Sequence, residues 1–429
     1  MARKSKDLPL PEAPRTATHV PASSENETGT SPRTIRFSTR NNSVAPLAAF
    51  IGDKTRVYLL CRCKLEKTGW CLQMIQTEHL ALAPHSLGTE RNLTVHHFGT
   101  PRARPKVYIQ AGIHADELAA NLTAHHLATK LQGAKVKGEI ILLPLANPLG
   151  QSQMVNRDHQ GRSDLATGQN FNRGYTDVSS SLEGQNLKNV NDVRAAIGAA
   201  LAAITPQLEI EVLQHQLQML AHDADIVLDL HTDSESELHL YLDPDQWPDA
   251  EDLAAWLGVP VVMLARKSGG NPFEETIAAP YIASGVPAPL SVVVELRGQP
   301  DVYDELAEKD AEALFCFLQG RGVIDGDPGP APEFTGGAAG FEHTALLEAP
   351  VPGLITYKKP LGARVEKGDL IAEIVDVRAV DNARTPIHAP TSGRFFARLS
   401  NKLARPGMSI GKIFGTQVIE GRSGYLLGD

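Results

Sequence analysis

From about residue 105 onward, the apolar positions of the chain follow two alternating periods. Short runs of aliphatic and β-branched residues predict strands over 107–111, 139–143, 226–230, 238–242, 259–264 and 291–296. Apolar residues three to four apart predict helices over 118–131, over 195–220 with a break near Pro206, and over 302–318. Strands that alternate with helices in this way predict an α/β domain with a mixed, largely parallel sheet flanked by helices. In such sheets, ligands bind at the carboxyl ends of the strands. Beyond residue 340 the helical period disappears. Short β-rich runs there, separated by Gly353, Gly362, Gly368, Gly393 and Gly407, predict a small all-β domain with tight turns.

Patterning also sets the expected boundaries. Residues 1–45 carry Pro, Ser, Thr and Arg without apolar periodicity, and 46–73 add only short apolar pieces. Residues 1–73 are therefore expected to be a disordered or irregular N-terminal extension. Asp7, Glu12, Glu25 and Glu27 argue against a transit peptide. The main α/β domain is expected over 74–324, a Pro/Gly linker over 325–340, and the small β domain over 341–429.

Charge narrows the classes of partner. The formal net charge is −9, yet residues 1–73 hold 12 basic and 6 acidic residues, and the rest of the chain holds 29 and 44. An acidic main body argues against nucleic acid as a partner. No apolar run is long enough to span a bilayer and no secretory h-region opens the chain, so no membrane partner is expected. Four cysteines, three of them at 61, 63 and 71, are too few for a disulfide scaffold, which points to the cytoplasm. Cys61, Cys63 and Cys71 also lack the paired spacing of a zinc ribbon.

Candidate chemistry lies at the predicted strand ends. Gly112-Ile113-His114-Ala115-Asp116-Glu117 follows one strand and precedes a helix, and its His-x-x-Glu spacing lets both side chains aim at one point. His231 follows the run 226–230 and would complete a His-Glu-His set with a fourth position left open, the arrangement of catalytic zinc. Asp229 or Asp233 is a candidate to orient an imidazole from behind. Glu295 is an acid inside an apolar strand. It is read either as partner of Arg297 or as a general base with a pKa raised by burial. The segment 168–174 offers Asn172 and Arg173 as a carboxylate grip. Arg157 and Arg162 upstream are candidates to stabilise an oxyanion. His125 and His126 sit on a predicted helix and are not needed for the metal count, and the polar loop 267–270 reads as a turn or as a cover over substrate.

In this order, GIHADE at 112–117, ANP at 146–148, NFNR at 170–173, DLH at 229–231 and VELRG at 294–298 resemble the succinylglutamate desuccinylase/aspartoacylase family over roughly residues 100–320. The resemblance implies a zinc carboxypeptidase-like fold and one Zn2+ per chain held by His114, Glu117 and His231. It further implies Glu295 as the catalytic glutamate, and Asn172 and Arg173 as the pair that binds the substrate carboxylate. The usual Asp-Leu-Asn-Arg reads Asn170-Phe171-Asn172-Arg173 here, and Arg162 is preferred to Arg157 as the oxyanion residue. The segments at 349–353, 365–369 and 389–393 resemble a biotinyl/lipoyl barrel sandwich. The stretch 376–381 lacks the lysine such domains modify, so a wall over the cleft is expected rather than a carrier.

The expected activity is hydrolysis of the amide bond of a small N-acyl amino acid. The nearest alternative is a metallocarboxypeptidase acting on short peptides, and a more distant one is a binding module that keeps the fold without catalysis. The partner is expected to be a small molecule, and association into a homo-oligomer is compatible with the sequence.

Overall fold

The computed structural model describes residues 50–51, 56–65, 69–82 and 86–419, with side chains from residue 76 onward. The chain opens with the antiparallel strands β1 (Phe50–Ile51), β2 (Arg56–Leu65), β3 (Gly69–Ala81) and β4 (Asn92–Gly99). β5 (Lys106–Ala111), α1 (Leu118–Leu131) and β6 (Glu139–Leu143) follow as a parallel unit. Then come α2 (Pro148–Gln151), the short hairpin β7 (Met154–Val155) and β8 (Asp158–His159), and the helices α3 (Val190–Ala202) and α4 (Glu209–Ala221). The second half holds β9 (Ile226–Asp233), β10 (Glu235–Ser236), β11 (His239–Leu242), α5 (Trp247–Leu257), β12 (Val261–Leu264), α6 (Phe273–Ala283), β13 (Leu290–Gly298), α7 (Asp304–Gly320) and β14 (Gly337–Gly340).

The main sheet runs β1-β2-β3-β4-β6-β5-β9-β13-β11-β12-β14, parallel at its centre where β6, β5, β9 and β13 lie side by side. The two-residue period of a strand sorts β9 and β13 onto two faces. Ile226, Leu228 and Leu230, with Leu290, Val292, Val294 and Leu296, join the core built with α1, α5 and α7. The opposite face meets a second core, to which α4 and α6 contribute Leu213, Leu217, Phe273 and Ile277. Small residues such as Ala120 and Ala124 let α1 lie close against the sheet. The mixed, helix-flanked α/β sheet expected from the sequence is thus the observed architecture.

Several local expectations differ from the structure. β1, β2 and the first five residues of β3 fall within the stretch expected to be irregular, with β2 and β3 pairing from Arg56↔Glu78 to Leu65↔Gly69. Residues 1–49 of that stretch, and the side chains of Cys61, Cys63 and Cys71, lie outside the described residues. The strand expected to stop at Leu230 runs on to Asp233, because its partner β13 continues the ladder through Glu295↔His231 and Gly298↔Asp233 across a bulge. His231 is therefore inside a strand rather than beyond one. The last four residues of the expected linker are β14, which pairs in parallel with β12. The expected elements include neither α5, although Ala250, Leu253, Ala254 and Leu257 stand at helical spacing, nor α6. α6 is apolar almost all round and carries Pro280 within it.

The C-terminal part contains β15 (Thr344–Glu348), β16 (Gly353–Tyr357), β17 (Arg364–Val365), β18 (Leu370–Val375), β19 (Arg384–His388), β20 (Gly393–Arg398), β21 (Leu403–Ala404) and β22 (Ser409–Gly415). They form two small sheets, β10-β20-β22-β15 with β17 on β20, and β19-β18-β16-β21, around a shared core that includes Leu347, Ile371, Ile374, Phe395 and Ile413. One strand of the first sheet, β10, comes from the α/β part. The acids that alternate along this connection each meet a base from the C-terminal part. Asp233 meets Lys412 at 2.6 Å, Glu235 meets Arg398 at 2.5 Å and Lys402 at 2.7 Å, and Glu237 meets Arg394 at 2.6 Å. Among the described residues, no helix is long and apolar enough to cross a membrane.

Candidate metal centre

The site is built where β5 and β9 end side by side. Gly112 takes a left-handed φ of +71°, and a Cβ there would lie 2.3 Å from the Asn121 amide, so only glycine turns the chain here. The loop after it is braced from below. Asn147, in the ANP motif, donates to the Ile113 carbonyl at 2.8 Å, and the Ala115 amide donates to the Gly161 carbonyl at 2.9 Å. This fixes His114 and places Glu117 at the start of α1.

His114, Glu117 and His231 converge, with ligand atoms all within 4.8 Å of one another. Each is almost fully buried, at 4%, 2% and 3% exposure. The His114 Nδ1 lies 2.9 Å from one Glu117 oxygen, and the His231 Nδ1 lies 2.9 Å from the other. The Thr232 amide donates to the second oxygen at 2.9 Å.

The outer ring nitrogens are held from behind. His114 Nε2 donates to Asn170 Oδ1 at 2.9 Å, and the Asn172 amide donates to that same oxygen at 2.9 Å, which fixes the orientation of the Asn170 side chain. His231 Nε2 faces Asp229 Oδ2 at 3.1 Å. Asp229 Oδ1 accepts from Gln110 Nε2 at 2.9 Å, and Gln110 Oε1 accepts from the Tyr108 hydroxyl at 2.8 Å. A proton on His114 Nε2 leaves its Nδ1 with the lone pair pointing inward, and His231 Nε2 faces both Asp229 Oδ2 and the Asn172 Nδ2 at 3.3 Å. Two imidazole nitrogens facing the two oxygens of one carboxylate are held together by a cation between them, either a proton or a metal ion. The donor set, two imidazoles and a carboxylate, suits zinc.

Charge within the cluster is strongly perturbed. Burial pushes the Glu117 pKa up, but the two imidazoles outweigh it and hold the group below its ordinary range. Burial lowers His114, whereas His231 is raised because the carboxylates of Asp229 and Glu117 overcome its burial. Glu295 lies opposite His231 in the neighbouring strand, and one of its oxygens is buried without a partner. Burial, and then the Glu117 charge, push its pKa up to about 8.

The other sequence candidates sort clearly. Arg162 leans over the cluster, its Nη1 3.5 Å from His114 Nδ1 and 3.6 Å from Glu117. Arg157 sits with Asn156 at the exposed tip of the β7–β8 hairpin, both with left-handed φ, and does not line the cavity. Arg173 lines it, donating to the Asn172 carbonyl at 2.7 Å, and Gly270 packs against its stem. Arg297 pairs with Asp310, not with Glu295. Of the two acids considered for orienting an imidazole, Asp229 faces His231, and Asp233 is taken by Lys412. His126 pairs with Asp304 at 2.9 Å on the outer side of α1. Asn170 behind His114, and Gln110 and Tyr108 behind Asp229, had no assigned role in the sequence reading. Asn170 stood inside a motif that could have prompted one.

These groups open into a cavity of about 1020 Å³. Arg162, Asn172, Arg173 and Glu295 line it, and so do Phe341, Leu346, Arg398, Met408 and Lys412 from the C-terminal end of the chain.

Residues 103–321 match the succinylglutamate desuccinylase/aspartoacylase catalytic domain. A protein of that family from Shewanella amazonensis is 26% identical, with a TM-score of 0.71 over 80% of this chain and 99% of that one. Another from Shewanella frigidimarina is 28% identical, with a TM-score of 0.68 over 79% and 97%. The product-bound ectoine utilization protein EutE (DoeB) of Ruegeria pomeroyi, 15% identical with a TM-score of 0.58 over 80% and 94%, shares the fold. No curated protein matches in sequence.

Proposed function

The chain belongs to the succinylglutamate desuccinylase/aspartoacylase family of hydrolases, and from that premise we propose that it is a zinc-dependent deacylase cleaving the amide bond of a small N-acyl amino acid. The observation that carries this reading is the buried His114-Glu117-His231 set, with the partnerless oxygen of Glu295 one strand away. Those three residues would hold the ion, which when bound supplies Lewis acidity and makes water a nucleophile near neutral pH.

The remaining steps fall to the chain's own groups. Glu295 takes the proton of the attacking water and returns it to the departing amine nitrogen, a task that suits a carboxyl raised towards the working pH. The Arg162 guanidinium, poised over the cluster, donates to the oxyanion that develops on the acyl carbon. Arg173 receives the carboxylate of the amino-acid half, with Asn172 beside it to fix the register. Phe341, Leu346 and Lys412 wall the cavity from the C-terminal side, which favours small acylated amino acids over peptides.

The test is a hydrolysis panel of N-acyl amino acids and of dipeptides, run with zinc and with a chelator. Zinc-dependent release of free amino acid from the acyl panel is expected. Turnover of the dipeptides alone would instead make the protein a carboxypeptidase, and metal-independent turnover would remove the mechanism.

A further inference from the structure

One face of the main sheet presents its reactive side chains on neighbouring strands. His231 on β9 stands opposite Glu295 on β13, and Glu295 stands opposite His239 on β11. Two residues further along β11, on the same face, Tyr241 pairs with Val293. At about 4.8 Å per strand, Tyr241 is set about 10 Å across the sheet from His231, on the far side of Glu295. Its ring is held by two others. His239 packs against it in a T-shaped contact with centroids 5.2 Å apart, and Phe341, from the C-terminal part of the chain, does the same at 5.5 Å. The residue lines the cavity.

Its hydroxyl stands apart from those of the buried tyrosines. Tyr108 donates to Gln110 Oε1 at 2.8 Å, Tyr281 donates to the His222 carbonyl at 2.5 Å, and the Tyr175 hydroxyl is shut off from solvent. Among the described residues, the Tyr241 hydroxyl has no hydrogen-bond partner, and its side chain is on the cavity wall. A phenol in so enclosed a place normally finds an acceptor. Burial, and then the Glu295 and Asp233 carboxylates, push its pKa well above the ordinary value, against the pull of Arg162 and Arg173. The phenol therefore keeps its proton and serves as a donor. Of the charges around it, Asp233 is taken by Lys412 at 2.6 Å, and Arg162 leans over His114 and Glu117. Arg173 commits Nη1 to the Asn172 carbonyl, and the half-buried Glu275 near it accepts from the Ser268 amide at 2.6 Å.

Glu295 returns its proton to the amine nitrogen, so a substrate that extends past Glu295 from the metal does so with its amino-acid half. The carboxylate carbon of that half is two bonds from the nitrogen. A carboxylate accepts about four hydrogen bonds, so a bidentate arginine leaves room for a further donor. We infer that Tyr241 is a substrate-binding residue whose hydroxyl donates to the α-carboxylate alongside Arg173. This rests on the deacylase reading and adds a residue to it.

The experiment compares the zinc-loaded full chain with Tyr241→Phe, which removes the hydroxyl and keeps the ring packed on His239 and Phe341. The substrates are the N-acetyl-L-amino acid that the parent turns over best and its primary amide, which lacks the carboxylate. In the variant, KM for the acid should rise about tenfold to a hundredfold with kcat kept, the mark of lost ground-state binding. The amide should show the same kcat/KM in both proteins. Calorimetric titration with the free amino acid product should weaken by the same factor as KM, a readout independent of turnover. An unchanged KM and product affinity overturns the inference and leaves the deacylase reading intact. So does a fall in kcat on acid and amide alike, which would make Tyr241 act through Glu295 or on the oxyanion instead. No turnover of any N-acyl amino acid by the parent overturns that reading and the inference with it.

Discussion

Replacing Asp229 by Asn tests how the cluster is organised. Asp229 is completely buried, with one oxygen on Gln110 Nε2 at 2.9 Å and the other 3.1 Å from His231 Nε2. Turning Gln110 over would leave the buried Tyr108 hydroxyl proton without its acceptor, which holds the amide as it stands. The oxygen of the new amide must therefore stay towards Gln110, which turns its NH2 towards His231. Donor then meets donor, and the imidazole relieves the clash by moving its proton from Nε2 to Nδ1. That proton would occupy the lone pair aimed at the metal position. Loss of an outer partner of a ligating histidine costs about 10–100-fold in metal affinity, or about 1.4–2.7 kcal/mol. The proton shift places Asp229→Asn at the upper end of that range. Zinc affinity is read by competition with a chromophoric chelator, with circular dichroism as a check on folding. A folded variant that binds zinc within about threefold of the parent would refute the proposed orientation of His231.

Glu295→Gln should keep zinc at parental stoichiometry while kcat falls by about 10²–10⁴, measured on the acyl substrate that the parent turns over best. Chelation should lower Tm, and zinc at about a hundred times its Kd should restore about 2.7 kcal/mol of stability, read by thermal melts across a zinc titration. Lys412→Met removes the partner of Asp233, whose side chain is 20% exposed, and should cost about 1–3 kcal/mol in urea unfolding. The same interface should be acid-sensitive. For Asp233 and Glu235, burial raises the pKa but the facing bases outweigh it, so both sit below their ordinary values in the folded chain. Their contribution to stability is then complete above the unfolded carboxylate range, about pH 4, and drains away as pH falls through the lower folded values. Unfolding followed from pH 6 to pH 2 should steepen below about pH 4, and less so in Lys412→Met. Equal acid sensitivity of the two proteins would contradict this.

The strands, and with them the three residues that converge as a candidate metal centre, were readable because both depend on local pattern. An apolar run with an acid or a histidine at its end is visible in a string of residues, as in 226–231 and 291–296. The misreadings have equally local causes. The end of β9 was drawn too early because His231, Thr232 and Asp233 are polar, whereas the strand continues wherever β13 keeps pairing with it. α6 went unseen because a helix packed on several sides shows no apolar stripe. Sequence proximity suggested Arg297 for Glu295, but the left-handed φ of Arg297, +65°, lies within the bulge, and its side chain pairs with Asp310 on α7.

The sequence by itself determined the fold class, the His-x-x-Glu turn and the list of residues that could carry chemistry, since each is written in residue type and in spacing along one stretch of chain. Only the tertiary structure decided which of them meet. It set Asn170 behind His114 and Asp229 behind His231, separated Arg162 from Arg157, and drew Lys412 from the far end of the chain onto Asp233. Such pairings span from two to almost two hundred residues. They are set by strand register and by the docking of the C-terminal sheets, quantities that depend on the packing of the whole chain rather than on any one segment of it.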